Sequence, residues 1–390
     1  MKEEQSKIIR QQAERSSKRE HSVPLYLTSS FIFDSAEQGR AIFAEEEEGM
    51  VYSRYANPNT SEFIEKVCIL ENAEDGLAFS SGMAAVFASF AGLLSNGDHI
   101  VSSRAIFGST HQLFTQLFPR WGITHTYVDA INPEEWEKAI QPNTKILFLE
   151  SPSNPGLELV DLEFLAKLKE KFPDLILVID NCFATPYLQK PLNYGFDLSI
   201  HSATKYMDGQ GRVLGGVIVG KQTLIDKLMF FIRHTGPAMS AFNAWILSKS
   251  IDTLGLRMDR HCSNALALAE ALEKHTEIAD VKYPFLPSHP QYELAKKQMK
   301  AGGGIVTFEV KGGKERAFEF LDALQMILYT SNLGDERSIA THPGSTTHSK
   351  LSEEERINLG INPGTIRLSV GLEDQNDIIN DILQALESSK

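Results

Sequence analysis

The chain has 390 residues, too many for one ordinary domain and enough to bury a large core. Hydrophobic residues make up 42% and charged residues 23%, ordinary for a globular protein and against disorder of the whole chain. Acidic residues exceed basic ones by 51 to 38, a formal charge of -13, which argues against a broad nucleic-acid-binding face but leaves room for a local cationic pocket.

Residues 1–20 read as a polar, helical arm without the apolar core of a secretory signal, which points to a cytoplasmic protein. Residues 21–60 are rich in Ser, Tyr, Asn and Pro and lack periodicity, as suits a segment that wraps another surface. The run Glu45 to Glu48 reads as a solvated face. From 61 the pattern alternates. Glu62 to Leu70 predicts a helix, Leu77 to Phe79 a strand, Gly82 to Leu94 a helix and Asp98 to Val101 a strand. Gly76 to Gly97 carries no charge, but Ser80-Ser81-Gly82 interrupts it, so it reads as strand, turn and helix rather than a membrane span. His111 to Trp121 and Leu162 to Phe172 predict helices. Thr124 to Val128, Lys145 to Leu149, Leu175 to Ile179, Leu198 to His201 and Gly215 to Val219 predict strands. Beyond 245 the texture changes. Ala244 to Leu272 is helical with a break expected at Gly255, and Ile305 to Val310 alternates like an edge-exposed strand. Ala317 to Leu324 is helical, Thr365 to Val370 alternates, and Ile378 to Leu386 closes the chain as a helix.

Continuous apolar strands alternating with helices predict an α/β domain with a mostly parallel sheet sandwiched by helices. The expected organisation is an arm over 1–60, a domain over 61–245 and a smaller α+β domain over 246–390. In such sheets ligands sit beyond the carboxyl ends of the strands, where Ser81, Glu150, Asp180 and the run His201 to Lys205 fall.

Cys68, Cys182 and Cys262 are odd in number and far apart, which excludes a disulfide scaffold and a cysteine-rich metal site. The histidines show no metal-ligand spacing, so no metal is expected. H-E-x-x-H, a Walker A loop and G-x-S-x-G are all missing from the sequence. The informative pair is Asp180, ending an apolar strand, and Lys205, within Ser202-Ala203-Thr204-Lys205-Tyr206. A lysine amine condenses with an aldehyde, and an aspartate can keep a pyridine nitrogen protonated so that the ring accepts electrons. Together they fit pyridoxal 5'-phosphate (PLP). Alone, Asp180 reads equally well as a strand-end cap and Lys205 as a surface lysine. Ser81-Gly82-Met83 opens a helix whose amides suit a phosphate, although Ser81-Gly82 alone reads as a helix cap.

Six motifs in order carry a resemblance: Tyr52-Ser53-Arg54-Tyr55-x-Asn57-Pro58, Ser81-Gly82-Met83, Glu150-Ser151-Pro152-Ser153-Asn154-Pro155, Val178-Ile179-Asp180-Asn181, Ser202-Ala203-Thr204-Lys205-Tyr206 and Arg367-Leu368-Ser369-x-Gly371. From about residue 20 to 385 the chain resembles the Cys/Met-metabolism (transsulfuration) PLP-dependent enzymes. The resemblance implies a PLP-dependent transferase fold of the aspartate aminotransferase-like, fold type I kind, with a mostly parallel seven-stranded sheet and a smaller α+β C-terminal domain. It implies Lys205 as the cofactor lysine and proton shuttle, Asp180 as partner of the pyridine nitrogen, and Gly82, Met83, Ser202 and Thr204 as phosphate ligands. Tyr52 and Arg54 would reach the phosphate of a neighbouring subunit's cofactor, in a dimer and by extension a homotetramer of active dimers. Asn154 would lie near the ring hydroxyl and the substrate carboxylate, and Arg367 would clamp that carboxylate. Taken alone, Arg367 on an alternating strand reads as a surface residue.

Two positions depart from the family's commoner pattern. Phe107 stands where many members have a ring-stacking tyrosine, and Asn332 where lyases often have serine. With the segment Tyr206 to Gly216 they resemble the O-succinylhomoserine sulfhydrylase branch. The implied reaction is γ-replacement on O-acylhomoserine, O-succinylhomoserine foremost, with sulfide or a thiol donor, giving homocysteine for methionine biosynthesis. Cystathionine γ-synthase using cysteine, or a methionine or cystathionine γ-lyase, is the other reading. No catalytic part is expected of the cysteines.

Overall fold

The computed structural model describes residues 3–390; Met1 and Lys2, the start of the expected arm, lie outside the described residues. Seven strands form one sheet: β1 (Asp75–Phe79), β2 (His99–Ser103), β3 (Thr124–Val128), β4 (Thr144–Glu150), β5 (Ile176–Asp180), β6 (Leu198–His201) and β7 (Gly216–Gly220). Their order is β1-β7-β6-β5-β4-β2-β3, parallel from β3 through β6, with β7 antiparallel to both β1 and β6. This is the α/β, mostly parallel seven-stranded sheet expected from the sequence.

The strands are apolar on both faces because helices cover both. Side chains alternate along β4: Ile146 and Phe148 enter one core with Phe79, Val86, Phe90 and Phe114, while Leu147 and Leu149 enter another with Leu165, Leu177 and Trp136. Phe90 meets Phe114 and Phe148 edge-on, with ring centroids 5.0 and 5.1 Å apart. Burying each such ring contributes roughly 1.5–3 kcal/mol, and an aromatic pair about 0.5–1.5 kcal/mol more. This core fixes the helix Gly82–Ala91 against the sheet and so aims its first turn at the strands' carboxyl ends.

A second sheet has the order β10-β11-β12-β9-β8, built from β8 (Ile278–Lys282), β9 (Ile305–Val310), β10 (Leu328–Tyr329), β11 (Ile339–Thr341) and β12 (Thr365–Ser369). The expectation of β9 as an edge strand is corrected: it lies between β12 and β8, and all its residues but one are buried. The alternation in its sequence came from Thr307 and Glu309. Thr307 is buried because its hydroxyl donates to the carbonyl of Pro155 at 2.7 Å.

Three other expectations need correction. Residues 4–20 are not helical throughout: the helix spans Glu4–Arg10, and the chain is then irregular. Seven residues form a marginal helix in isolation. This one is held by its buried Ile8, by Gln5 donating to the Asp252 carbonyl at 2.7 Å, and by the Glu4–Lys190 ion pair. In the irregular part, Ser16 and Glu20 hydrogen-bond each other instead of a helical turn. The segment 21–60 contains a helix, Ala36–Phe43, capped by Ser35 accepting from the Gln38 amide. The break in the long helical stretch falls at Asp252–Thr253, between the helices Ala241–Ile251 and Leu254–Glu273. Gly255 lies inside the second helix, where a Cβ would sit 2.9 Å from the Tyr187 ring, so close packing rather than a chain break calls for glycine there.

Candidate active site

The carboxyl ends of β4, β5 and β6 place Glu150, Asp180 and the loop from Ser202 to Lys205 along one edge of the sheet. The first turn of Gly82–Ala91 faces them, and β12 with the Ser331–Leu333 loop closes the other side. Between them lies a cavity of about 400 Å³. Of the residues singled out from the sequence, Gly82, Met83, Phe107, Asn154 and Asp180 line it, as do Ser202, Thr204, Lys205, Asn332 and Arg367. Ten positions spread over nearly three hundred residues of chain therefore meet in one space.

Lys205 donates from Nζ to Asn332 Oδ1 at 2.6 Å. Burial lowers its pKa, and the nearby Arg367 charge lowers it further against the effect of Cys182. Asp180 pairs in register with Glu150 on the neighbouring strand. Burial raises Asp180 to about 6, while the Cys182 N–H donating to Oδ1 at 3.0 Å and the nearby His201 oppose the shift. Burial also pushes Glu150 well up, and the Asp180 charge adds to this. Glu150 Oε2 accepts the Phe107 N–H at 2.9 Å, which fixes Phe107 on the cavity wall.

Arg367 is fully buried, contrary to its reading as a lone strand residue. Its Nη1 donates to Asn154 Oδ1 at 3.1 Å, and its Nη2 to the Ser331 and Asn332 carbonyls at 3.1 and 3.0 Å. Its Nε has no partner, and burial lowers its pKa to about 10. A buried guanidinium bonded only to neutral oxygens, with a donor to spare, calls for an anion.

At the other end of the cavity Ser81 Oγ accepts the Ala84 N–H at 3.1 Å, and its carbonyl accepts that of Ala85 at 3.2 Å. The amides of Gly82 and Met83, also in the first turn, have no acceptor within the helix and are free for an anion. Gly82 is required there: a Cβ would lie 2.6 Å from Ser202 Cβ and 2.8 Å from its Oγ. Thr204 Oγ1 accepts from the Gly215 N–H at 3.0 Å and lies 3.3 Å from its carbonyl, so this hydroxyl is partly engaged by the backbone.

Tyr52 and Arg54 are not brought to this cavity. Tyr52 is 42% exposed, and the Arg54 guanidinium lies over the Tyr52 and Tyr55 rings, bonded to the Arg233 carbonyl. Sequence reasoning also missed wall residues. Cys182 and Phe183 line the cavity and follow Asp180 closely in the chain, a signal that was available. The Cys182 thiol is pushed up by burial and is therefore a neutral wall group. Thr347 lines the cavity from a segment with no periodic pattern to reveal it.

Residues 5–387 match the family described as Cys/Met metabolism PLP-dependent enzyme. The chain belongs to this family. It is 47% identical to O-succinylhomoserine sulfhydrylase of Pseudomonas aeruginosa, over 94% of this chain and 91% of that one. It is 44% identical to L-methionine gamma-lyase of Fusobacterium nucleatum, over 94% and 93%. Among solved structures it superposes with a TM-score of 0.95 on a putative O-acetylhomoserine (thiol)-lyase from Campylobacter jejuni, at 33% identity and over 99% and 100% of the two chains. That structure carries a pyridoxyl-lysine monophosphate.

The chain is thus a PLP-dependent enzyme of Cys/Met metabolism with the fold of that family. The cavity fits the cofactor: free helix amides for a phosphate, a lysine amine for the aldehyde and a buried carboxylate for the ring nitrogen. Among the described residues no cluster of His, Cys, Asp and Glu has the geometry to hold a metal ion, and no helix is long and apolar enough to cross a membrane.

Proposed function

We propose that the chain catalyses γ-replacement on an O-acylhomoserine, O-succinylhomoserine foremost, with sulfide as donor and homocysteine as product, in methionine biosynthesis. The observation that carries this reading is one cavity holding Lys205, Asp180 and Arg367 under Phe107, a ring with no proton to give. An acyl group leaves as a stable carboxylate without acid help, whereas a thiolate leaves with difficulty, so Phe107 suits an ester substrate better than a thioether. The sulfhydrylase relatives at 47 and 45% identity support the same choice.

Bound PLP supplies an electron sink for the pair left when a bond to Cα breaks. Arg367 and Asn154 hold the substrate carboxylate, which orients the Cα–H bond toward Lys205. Lys205 Nζ, whose proton affinity burial lowers, takes the proton from Cα and serves again as base and acid at Cβ, while Cγ loses the carboxylate leaving group and gains the sulfur of the donor. Asn332 Oδ1 aims that amine. Asp180 would hold the proton on the ring nitrogen. Gly82, Met83, Ser202 and Thr204 would hold the phosphate, and Phe107 would face the ring.

Residues 1–60 form an arm whose Tyr52 and Arg54 serve the phosphate site of a neighbouring subunit, while 61–245 bind the cofactor and 246–390 form the smaller domain. The exposure of Leu27 at 73%, Ile32 at 98% and Phe43 at 66% supports an arm covered by a second copy. The assembly proposed is a homotetramer of active dimers in the cytoplasm. The test is product analysis with O-succinyl- and O-acetylhomoserine, each with sulfide and with cysteine. Homocysteine from O-succinylhomoserine and sulfide is expected at the highest kcat/KM. Faster release of 2-oxobutanoate from methionine overturns the reading in favour of a γ-lyase.

A further inference from the structure

Behind the edge of the sheet that carries the reaction cavity lies a buried polar cluster with no part in the proposed mechanism. Its centre is Glu71, the last residue of the helix Pro58–Glu71, with no exposed surface. A carboxylate is doubly costly there, because it is shut off from water and sits at the negative end of the helix dipole. Glu71 Oε1 accepts from Asn181 Nδ2 at 3.0 Å and from Ser199 Oγ at 2.7 Å, and it meets His201 Nε2 at 2.6 Å. Its Oε2 has no partner. Asn181, Ser199 and His201 are themselves buried.

These three partners belong to the strand ends that build the site. Asn181 follows Asp180 at the end of β5, and His201 ends β6 directly before the Ser202–Lys205 loop. Asp180 pairs in register with Ile200, so alternation turns Ser199 and His201 to the opposite face of the sheet, toward Glu71. The network reaches a third strand. Asn181 Nδ2 also donates to the Gln189 carbonyl at 2.9 Å, and Gln189 Nε2 donates to the Ser151 carbonyl at 2.8 Å, next to Glu150. Around Asp180 stand Glu150 from β4, His201 from β6, Lys205 from the loop beyond it, Cys182 from its own loop and Arg367 from β12. Burial raises Asp180 to about 6, and the Cys182 N–H and then the His201 charge oppose the rise.

We infer that Glu71 and His201 act as a positioning pair behind Asp180. Glu71 ties the ends of β5 and β6 at a fixed spacing. The imidazole it holds, when protonated, supplies the positive charge that keeps Asp180 ionised for the ring nitrogen of the cofactor. This role rests on the reading of Asp180 as partner of that nitrogen and deepens it. Neither side chain lines the reaction cavity, so both act through the residues that do. A carboxylate that loses a cationic neighbour takes up its proton at higher pH, and a neutral Asp180 no longer pairs with a protonated ring.

The test is titration of resolved apo-protein with PLP from about pH 5.5 to 8.5, read as the visible cofactor band, with circular dichroism as the control for folding. His201→Gln can still donate to Glu71 but carries no charge. Its affinity is expected to stay within about threefold of wild type at pH 8. The acid-side fall moves up by about one pH unit, which makes binding roughly fivefold weaker at pH 6. Glu71→Gln keeps an acceptor oxygen, loses the charge and moves the fall in the same direction. Glu71→Ala frees the strand ends and lowers affinity about 100-fold at every pH. In an Asp180→Asn background His201→Gln leaves the pH profile unchanged, which a packing role alone would not produce. A His201→Gln profile that overlays wild type, or one lowered equally at every pH, overturns the assignment. If Asp180→Asn by itself leaves the wild-type profile intact, the reading of Asp180 fails and the pair falls with it. If Asp180→Asn removes the acid-side fall but His201→Gln does not move it, the pair alone is refuted. Should His201→Gln not fold, Glu71→Gln decides by the same criteria.

Discussion

Gly82 offers the sharpest test of the phosphate cradle. An added Cβ would lie 2.6 Å from Ser202 Cβ, 2.8 Å from its Oγ and 3.0 Å from its Cα. Carbon atoms pack best at about 3.5–4.0 Å, so Gly82→Ala must push the helix start and the Ser202 loop apart by roughly 1 Å. Little relief is available behind them, because a Cβ on Gly216 would already lie 2.1 Å from the Ser81 carbonyl oxygen. Overpacking of this kind costs about 1–3 kcal/mol, and a misplacement of ~1 Å in a binding constellation costs about 100-fold. PLP affinity of the resolved apo-protein should therefore fall about 100-fold, read as the visible cofactor band on titration. Circular dichroism of the apo-protein should show the fold retained. Adding Ser202→Gly removes the two closest contacts but also a hydroxyl, so it should restore affinity only in part. A folded Gly82→Ala protein that binds PLP within about threefold of wild type would falsify the close-approach argument.

Other outcomes are equally definite. Lys205→Ala should abolish turnover and the lysine-linked cofactor absorbance; normal turnover would remove Lys205 from the chemistry. Arg367→Lys loses the planar fork and should raise KM for the amino-acid substrate about 10- to 100-fold with a smaller change in kcat, measured by steady-state kinetics. In the apo-protein Asp180 has a folded pKa raised from 3.8 to about 6, so its contribution is most favourable below about pH 4 and is lost as pH rises to about 6. Denaturant titrations of wild type and Asp180→Asn across that window should diverge by about 1–3 kcal/mol, a range reduced because the carboxylate opens on a cavity. A constant difference refutes the assignment. Lys66 is buried between Glu62 at 3.3 Å and Asp252 at 2.7 Å, so Lys66→Ala strands buried charge and should cost about 3–5 kcal/mol in urea unfolding.

Particular residues show where the sequence was legible. Leu198 to His201 was delimited to the residue because its apolar run is bounded by Asp197 and by the polar loop that holds Lys205. The helix Pro58–Glu71 begins four residues before the expected Glu62. The missed signal was local: Asn57 and Thr60 form a capping box with Pro58 at the first helical position. The helix Gln222–Thr235 was not anticipated, although Leu224, Leu228 and Ile232 are spaced on one buried face. In contrast, nothing local marks Arg367 as buried. Its surroundings come from Asn154 and the Ser331–Asn332 loop, distant in the chain.

Length, composition and charge pointed to a globular multidomain chain with no broad nucleic-acid face, and strand periodicity set the mostly parallel sheet. Ordered motifs named the cofactor and eight wall positions of its cavity, and the two departures from the family pattern, Phe107 and Asn332, added two more. These are local or one-dimensional properties, carried by side-chain alternation and residue type. Only the tertiary structure decided that β9 is interior and that Arg367 is buried with a spare donor. Each of these depends on which segments meet across long sequence separations, and that is set by burial of both sheet faces rather than by any local pattern.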